Sequence, residues 1–457
     1  MSTHILRSTN PATGLVFKTF SCWSDTEIEG TVAKVHQAHQ SWSQSSLSSR
    51  ASSMRTLAIV LRNRQDELAH IITEEMGKLL SESRAEVEKS ALTCEYYADN
   101  AEQILTKHVT KSDAGKSYVT YQPLGTVLAI MPWNFPLWQV MRFVIPTLMA
   151  GNTGVLKHAS NVPQCALAIE SLVKEAGFPE NVFRTLMISA SQTEKLIADP
   201  RIAAVTLTGS CEAGRKVASV AGSHLKKLVL ELGGSDPFVV LDDADLDLTI
   251  PVAVQSRFMN AGQSCIAAKR FIITPGVADE FVSRFVKAVA SLKTGSPLQA
   301  DTTLAPMARH DLREELHQQV LKSVSVGAKI LTGGEPIPGE GAFYAPTVLD
   351  NITPAIPAYH EELFGPVALV LRAKNEEDAV RIANDTPFGL GGSVWTRDNE
   401  RGERVALRLE CGSVFVNGLV KSDARLPFGG VKESGYGREL SVQGMREFMN
   451  TKTVWIR

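Results

Sequence analysis

Three side chains of this sequence have the types and surroundings that chemistry at a carbonyl group requires. Cys265 ends the segment Asn260-Ala-Gly-Gln-Ser-Cys, a polar loop beyond a predicted helix where a thiol can be exposed and act as a nucleophile. Glu231 interrupts an apolar predicted strand, where partial desolvation raises a carboxyl pKa towards that of a general base. Asn134 lies between prolines in Met131-Pro-Trp-Asn-Phe-Pro, and a rigid amide is a suitable hydrogen-bond donor to an oxyanion.

Each of these residues also has an ordinary structural explanation. A free cysteine such as Cys265 is most often a small buried hydrophobe. Glu231 is equally compatible with a strand-end glutamate turned to solvent, and Asn134 with a capping residue. Taken one at a time, the residues leave these alternatives open.

A strand, a turn and a helix are predicted in succession around Gly209. The apolar run Ala203 to Thr208 precedes the glycine, and a helix begins near Ser210. Free N–H groups and the helix dipole at such a start favour a phosphate group. The spacing of Gly209 and Gly214 fits neither the G-x-G-x-x-G fingerprint nor a Walker A loop, so a plain strand-to-helix turn is an alternative.

No metal site is expected. The ten histidines never combine with Cys, Asp or Glu at the spacing of a zinc or di-iron site. Asp242-Asp-Ala-Asp-Leu-Asp lacks the glycine and the terminal glutamate of a calcium loop. The six cysteines include no CxxC pair and are expected to be reduced thiols.

Strands that alternate with helices must position these side chains, because such alternation is typical of parallel βαβ units. Amphipathic helices are predicted over Ala51 to Leu80 and Glu86 to Ile104. Two series of strands follow, which predict two α/β lobes that meet near residue 232. The predicted strands are Tyr118 to Tyr121, Gly125 to Met131, Thr153 to Lys157, Val182 to Met187, Ala203 to Thr208, Val229 to Leu232, Pro237 to Leu241, Arg270 to Thr274, Val367 to Arg372, Gly392 to Thr396 and Ser413 to Asn417.

The overall composition excludes several classes of protein. With 457 residues, of which 44% are hydrophobic and 21% charged, the chain is long and apolar enough for a globular protein of two or three domains. The formal charge of −2 argues against nucleic acid or an acidic membrane as the main partner. No apolar run reaches the roughly 18 residues of a membrane span, and Met1 to Asn10 lacks the features of a secretory signal. We therefore expect a cytoplasmic protein.

Six motifs occur in the order in which the aldehyde dehydrogenase superfamily has them, and the sequence resembles that superfamily over essentially its whole length. The motifs are Pro132-Trp-Asn-Phe-Pro, Thr208-Gly-Ser, Leu230-Glu-Leu-Gly-Gly, Gly262-Gln-Ser-Cys, Glu361-Glu-Leu-Phe-Gly-Pro-Val and Pro427-Phe-Gly-Gly-Val-Lys-Glu-Ser-Gly. The resemblance implies an α/β fold with two Rossmann-like parallel-sheet lobes and a small β oligomerisation arm, hence a homodimer or homotetramer. The expected domains are 1–111 with 126–232 for the cofactor, 233–434 for catalysis, and 112–125 with 435–457 for the arm.

The resemblance also implies a role for each of the three chemically suitable residues. Cys265 would attack an aldehyde to give a thiohemiacetal, whose oxyanion the Asn134 amide and the Cys265 N–H would bind. Glu231 would activate the water that hydrolyses the resulting thioester. Cofactor binding is implied for Met131, Pro132, Trp133, Lys157, Ser160, Gly209, Ser210, Leu232, Glu362 and Phe364.

Ser160 bears on the choice of cofactor. NAD-selective relatives often carry a glutamate at this position, three residues after Lys157. A serine leaves no carboxylate to repel a 2′-phosphate, and Lys157 can pair with that phosphate. The expected cofactor is NAD or NADP, with the preference open.

Two residues indicate the substrate. Succinate-semialdehyde dehydrogenases of this family carry an arginine eight residues after the oxyanion asparagine and a serine five residues before Pro-Phe-Gly-Gly, which here are Arg142 and Ser422. These would hold the distal carboxylate of a four-carbon semialdehyde. A second arginine, six residues before the nucleophile in some of these enzymes, is replaced by Met259. An ordinary ion-paired or solvent-facing arginine is the alternative for Arg142.

Other functions remain open at this point. Glutarate semialdehyde or a broader range of aldehydes could be the substrate. A structural or binding homologue without activity is an alternative of another class, although such a protein need not keep all three reactive residues. A cysteine-dependent esterase that needs no cofactor is a third possibility.

Overall fold

The computed structural model describes residues 5–457, which form two mainly parallel sheets, a three-stranded antiparallel sheet and a separate hairpin. The strands are β1 Ile5–Thr9, β2 Val16–Ser21, β3 His108–Val109, β4 Lys116–Pro123, β5 Thr126–Met131, β6 Thr153–His158, β7 Phe183–Thr185, β8 Ile202–Thr208, β9 Lys227–Glu231, β10 Asp236–Val240, β11 Ala268–Ile273, β12 Lys329–Thr332, β13 Thr347–Asp350, β14 Val367–Arg372, β15 Gly391–Trp395, β16 Ser413–Val416, β17 Gly435–Tyr436 and β18 Met449–Ile456.

The helices lie mostly between consecutive parallel strands. They are α1 Asp25–Trp42, α2 Leu47–Asn63, α3 Gln65–Met76, α4 Leu80–Leu105, α5 Trp138–Met149, α6 Pro163–Glu175, α7 Thr193–Ala198, α8 Cys211–Ser223, α9 Leu246–Phe258, α10 Ala278–Ala290, α11 His310–Ser325, α12 Pro357–His360, α13 Glu376–Asn384, α14 Asn399–Ala406 and α15 Ser441–Glu447. None of the helices within residues 5–457 has both the length and the apolar character that crossing a membrane requires.

The two large sheets correspond to the two predicted lobes. The first has the order β17-β9-β8-β5-β6-β7, and the second has the order β12-β13-β14-β11-β10-β15-β16. Within each sheet one edge strand, β17 or β12, is antiparallel and the others are parallel. The predicted fold class, with two parallel-sheet α/β lobes and a small β arm, is confirmed.

Both faces of the central strands of each large sheet are buried, which explains the continuous apolar runs of these strands. In β5, Val127 and Ala129 belong to one apolar core while Leu128 belongs to the core on the opposite face. In β11, Ile272 and Phe271 are divided between two cores in the same way. Because no strand face is left for solvent, the alternation of apolar and polar residues disappears from these strands.

The helical region before the sheets differs in detail from the prediction. The expected helix over Ala51 to Leu80 is two helices, α2 and α3, with Arg64 between them at φ −105° and ψ 16°. α3 ends where Gly77 adopts φ 83°, a left-handed conformation that glycine accepts readily. Apolar periodicity continues across this break because both helices pack on the same core.

The arm is an antiparallel sheet in the order β18-β4-β3. β18 pairs with β4 along its whole length, from Met449 opposite Pro123 to Ile456 opposite Lys116. Two short strands cross the predicted domain limits, since β3 joins the arm and β17 pairs with β9 of the first large sheet. The exact domain limits stay a prediction.

Candidate active site

Cys265 lies where two cavities meet. The first, of about 290 Å³, is lined by Asn134, by residues 208–210 at the end of β8 and by Glu362 and Phe364. The second, of about 480 Å³, lies against α4, α5 and residues 419–422. Cys265 and Gln139 belong to the lining of both cavities. A group bound in either cavity can therefore contact the thiol.

The loop before Cys265 has an unusual backbone. Asn260, Ala261 and Gly262 have φ values of 54°, 52° and 73°, so three consecutive residues are left-handed. Such strain persists only where surrounding contacts fix it. The Asn260 amide donates to the carbonyl oxygens of Asn134 at 2.8 Å and Gln263 at 3.1 Å, and buried Arg257 donates to the Gly262 carbonyl at 3.1 Å. The thiol is thus held by a rigid loop.

Asn134 is fixed beside this loop. Its Nδ2 donates to the Gln263 carbonyl oxygen at 3.1 Å, and its side chain is buried. It does not cap the following helix, because the N–H groups of Leu137 and Trp138 donate to Glu86 at 2.9 and 2.8 Å. The capping alternative is therefore wrong, and the amide lies on the wall of the first cavity together with the thiol.

Glu231, at the end of β9, is only 2% exposed, so the solvent-facing alternative is wrong. Neither carboxyl oxygen has a hydrogen-bond partner among residues 5–457. Burial raises the pKa of Glu231, and the neighbouring Glu439 carboxylate raises it further, whereas Arg142 and Arg438 oppose the rise. The carboxyl is not part of the lining of either cavity, but it is near enough to Cys265 for its charge to raise the pKa of the thiol.

Burial raises the pKa of the Cys265 thiol to about 12, against the opposing charges of Arg142 and Lys269. Lys269 is completely buried, and its Nζ donates to the carbonyl oxygens of Ser264 and Cys265 at 2.8 Å each. The thiol is therefore protonated at neutral pH and must lose its proton before or during attack on a carbonyl.

Arg142, Ser422 and Met259 all line the second cavity. The Arg142 guanidinium forms a close ion pair with Glu439, and the two side chains are 2% and 5% exposed. It also lies 4.5 Å from the Phe428 ring centroid. The Ser422 hydroxyl accepts a 2.7 Å hydrogen bond from Lys89, a residue of α4 that the sequence analysis did not identify.

The first cavity suits a dinucleotide cofactor. Gly209 follows β8, and Ser210 caps the 13-residue helix α8 by accepting the Ala213 N–H at 3.3 Å, so the free N–H groups of that helix start face a possible phosphate. Pro132, Trp133, Leu232, Glu362 and Phe364 also line this cavity. The Trp133 and Phe364 rings meet edge to face at 5.8 Å.

Three of the predicted cofactor residues lie outside that lining. Met131 is buried at the end of β5, Lys157 is half-buried near the end of β6, and Ser160 is exposed beyond it. Burial lowers the pKa of Lys157, and no carboxylate of residues 5–457 lies within ion-pair distance of its ammonium group. A half-buried cation without a partner in this part of the chain fits an anionic group such as a phosphate.

Glu362 is placed by two contacts at the edge of the first cavity. Its Oε1 accepts the Gly234 N–H at 3.0 Å and lies 3.4 Å from the Lys269 ammonium. Lys269 thereby links Glu362 to the carbonyl groups of the Cys265 loop. Within residues 5–457, no three His, Cys, Asp or Glu side chains are grouped so that they could hold a metal ion.

Comparison with known proteins gives consistent results. The aldehyde dehydrogenase family domain matches residues 1–454. A probable NADP(+) succinate-semialdehyde dehydrogenase of Synechocystis sp. is 49% identical over 447 residues, 98% of each chain. An NAD(P)+ succinate semialdehyde dehydrogenase of Escherichia coli is 48% identical over 454 residues, 99% of this chain and 98% of that one. The crystal structure of the Streptococcus pyogenes succinic semialdehyde dehydrogenase with NADP+ superposes with a TM-score of 0.97 at 38% identity, covering 99% of both chains.

Proposed function

Because the chain belongs to the aldehyde dehydrogenase family, we propose that it oxidises succinate semialdehyde to succinate with NADP+ or NAD+. The observation that carries the proposal is the position of Cys265 at the junction of two cavities, one lined by Ser210, Glu362 and Phe364 and the other by cationic side chains. The similarity to succinate-semialdehyde dehydrogenases at 48–49% identity supports the same substrate.

The Cys265 thiol gives its proton to water as its sulfur bonds to the aldehyde carbon, and the carbonyl oxygen becomes the oxyanion of a thiohemiacetal. The Asn134 amide and the Cys265 backbone N–H are assigned to the developing oxyanion, and the rigid loop keeps both donors in place without reorganisation. NAD(P)+ held by Ser210, Glu362 and Phe364 would supply the acceptor for the hydride of the former aldehyde carbon. Cys265 is then left as a thioester of the oxidised substrate.

Glu231 completes the reaction as the base for hydrolysis. It takes a proton from water, the hydroxide oxygen bonds to the thioester carbon, and the carbon–sulfur bond breaks to release the carboxylic acid and the Cys265 thiolate. A raised pKa suits this role, because the carboxylate then has an appreciable affinity for the proton of water.

The cofactor is proposed to bind along the first cavity and β6. Ser210 and the start of α8 are assigned to the pyrophosphate, Glu362 and Phe364 to the nicotinamide ribose, and Lys157 to the adenosine ribose. Ser160 leaves room for a 2′-phosphate near Lys157. The remaining proposed contacts to the cofactor come from apolar side chains or backbone groups, those of Met131, Pro132, Trp133 and Leu232.

We also propose a homo-oligomer in the cytoplasm. The arm strands carry exposed apolar side chains, among them Val109, Trp455 and Ile456, which supports burial against another subunit. All six cysteines are free, which supports a reducing compartment.

The test is the initial rate of NADPH and NADH formation with succinate semialdehyde, glutarate semialdehyde and neutral butanal. We expect kcat/KM for succinate semialdehyde to exceed that for butanal about tenfold or more, equivalent to about 1.4 kcal/mol of transition-state stabilisation. Equal values for all three aldehydes would refute the substrate assignment and favour a general aldehyde dehydrogenase.

A further inference from the structure

The second cavity contains a cation with no anionic partner in the described part of the chain, the ammonium group of Lys89. Its Nζ donates to Ser422 Oγ at 2.7 Å and lies 4.3 Å from the centroid of the Trp138 ring. Among residues 5–457, no carboxylate oxygen lies within 4.0 Å of this nitrogen. A half-buried ammonium group with a single neutral hydrogen-bond partner has unused donor capacity.

The acidic side chains near Lys89 are already engaged. Glu86 forms a buried ion pair with Lys78 and accepts two backbone N–H groups at the start of α5. Asp423 forms a two-point ion pair with Arg425. Neither carboxylate is therefore available as the partner of Lys89.

The other charged groups around this cavity do not neutralise Lys89 either. Arg142 has the same sign and is paired with Glu439, and Lys421 is exposed at the rim. Glu82 accepts the Asn260 N–H at 2.9 Å, and burial raises its pKa. Burial and the charge of Arg142 lower the pKa of Lys89 to about 8, against smaller opposing effects of Glu86 and Asp423.

The hydroxyl group of Ser422 adds a second donor at the same place. The Ser422 oxygen accepts a hydrogen bond from the Lys89 ammonium group, so the hydroxyl hydrogen of Ser422 is free for a second hydrogen bond. Ser422 is 7% exposed, and no other side-chain hydrogen bond of this residue is formed within residues 5–457. Lys89 and Ser422 together present several donors to one point of the cavity, which is the arrangement that a carboxylate needs.

We propose that Lys89 is a further binding residue for the distal carboxylate of the substrate and acts there beside Ser422 and Arg142. The inference rests on the proposed oxidation of a carboxylated semialdehyde. Met259 lines the same cavity and carries no charge, so Lys89 supplies a positive charge there. Arg142 also pairs with Glu439 through Nε and opposes the rise in the pKa of Glu231.

The test compares succinate semialdehyde with butanal, which has the same number of carbon atoms and no carboxylate. Lys89→Met keeps the length and apolar surface of the side chain and removes the charge. We expect kcat/KM for succinate semialdehyde to fall about tenfold to a hundredfold, and that for butanal to change less than about twofold. Lys421→Met removes an exposed lysine and serves as the control for general attraction of anions. It should leave the ratio of kcat/KM for succinate semialdehyde to kcat/KM for butanal nearly unchanged.

A second variant separates a missing charge from a damaged fold. Lys89→Arg should retain most of the preference for succinate semialdehyde. In the wild type, kcat/KM for that substrate should fall as the pH rises through about 8, whereas butanal should show no such fall. The fall should be absent in Lys89→Arg, because a guanidinium stays protonated over this range.

The outcomes distinguish the two proposals. If the wild type shows no preference for succinate semialdehyde, the proposed substrate is wrong and the role of Lys89 is wrong with it. If the preference exists but persists in Lys89→Met, the role of Lys89 alone is refuted. If Arg142→Met lowers kcat/KM for succinate semialdehyde but not for butanal, and Lys89→Met lowers neither, the carboxylate is bound by Arg142 and the role of Lys89 is refuted.

Discussion

Glu439→Gln is expected to move the pH dependence of thioester hydrolysis to lower pH. Glu231 and Glu439 are buried near each other, and Arg142 is paired with Glu439. The ionised form of Glu231 is the active base, so hydrolysis accelerates as the pH rises through its pKa. Removing the Glu439 charge removes one cause of the raised pKa of Glu231 and leaves the favourable charge of Arg142. The expected shift is about one to three pH units downward, as found for close charges at poorly solvated sites.

Arg142→Met should have the opposite effect. The guanidinium favours the ionised form of Glu231, so its loss raises the pKa of this carboxyl and moves the profile to higher pH. Removing one partner of a buried ion pair also costs about 3–5 kcal/mol of folding stability. Binding of NADP+ to each variant is therefore measured first, as evidence that the variant is folded.

The assay is stopped-flow NADPH formation with butanal at saturating concentration. Butanal is chosen because it makes no carboxylate contact whose own pH dependence would complicate the profile. A burst of NADPH followed by a slower phase shows that thioester hydrolysis limits turnover, and the slower rate is then followed against pH. In Glu231→Gln the slow phase should be about 10²- to 10⁴-fold slower and should lose this pH dependence. Profiles that move in the same direction in Glu439→Gln and Arg142→Met, or in neither, would refute the electrostatic argument.

Two further variants test the nucleophile and the cofactor site. Cys265→Ala should abolish aldehyde oxidation and leave NADP+ binding, followed by fluorescence titration, within about twofold, because the thiol accounts for little of the cofactor contact; residual turnover would refute its role. Ser160→Glu should lower kcat/KM with NADP+ about tenfold or more relative to NAD+, because it places a carboxylate near the 2′-phosphate expected at Lys157; an unchanged ratio of the two cofactors would remove Lys157 from the phosphate site.

The sequence predicted the elements that combine strong local patterns with burial on both sides. β5, β8 and β14 are continuous apolar runs, and each was predicted within a residue or two of its observed limits. β12 was missed because three of its four residues are exposed, so no apolar pattern marks it. The break between α2 and α3 was missed for a different reason, since both helices bury their apolar faces in one core.

The residues that complete the site come from parts of the chain that no local pattern connects. Lys89 and Ser422 are separated by 333 positions, and their contact depends on how α4 packs beside the catalytic lobe. Glu439 belongs to the segment between β17 and α15, and only the folded chain brings it to Arg142. Sequence spacing therefore identified Arg142 but not the carboxylate that neutralises it.

The charged groups around Cys265 are of two kinds, those in buried ion pairs and those without an ion-pair partner in the described part of the chain. Arg142 and Glu439 neutralise each other, as do Lys78 and Glu86, so these groups can be buried without an external partner. Glu231 and Lys89 are not paired in this way, and burial opposes the charge of both, since the pKa of the acid is raised and that of the base is lowered. Glu231 is therefore stabilised when it takes up a proton from water, and Lys89 is stabilised when it pairs with a carboxylate. Water supplies the proton to Glu231 with any aldehyde, but only a carboxylated aldehyde pairs the ammonium group of Lys89, which a neutral aldehyde leaves unpaired.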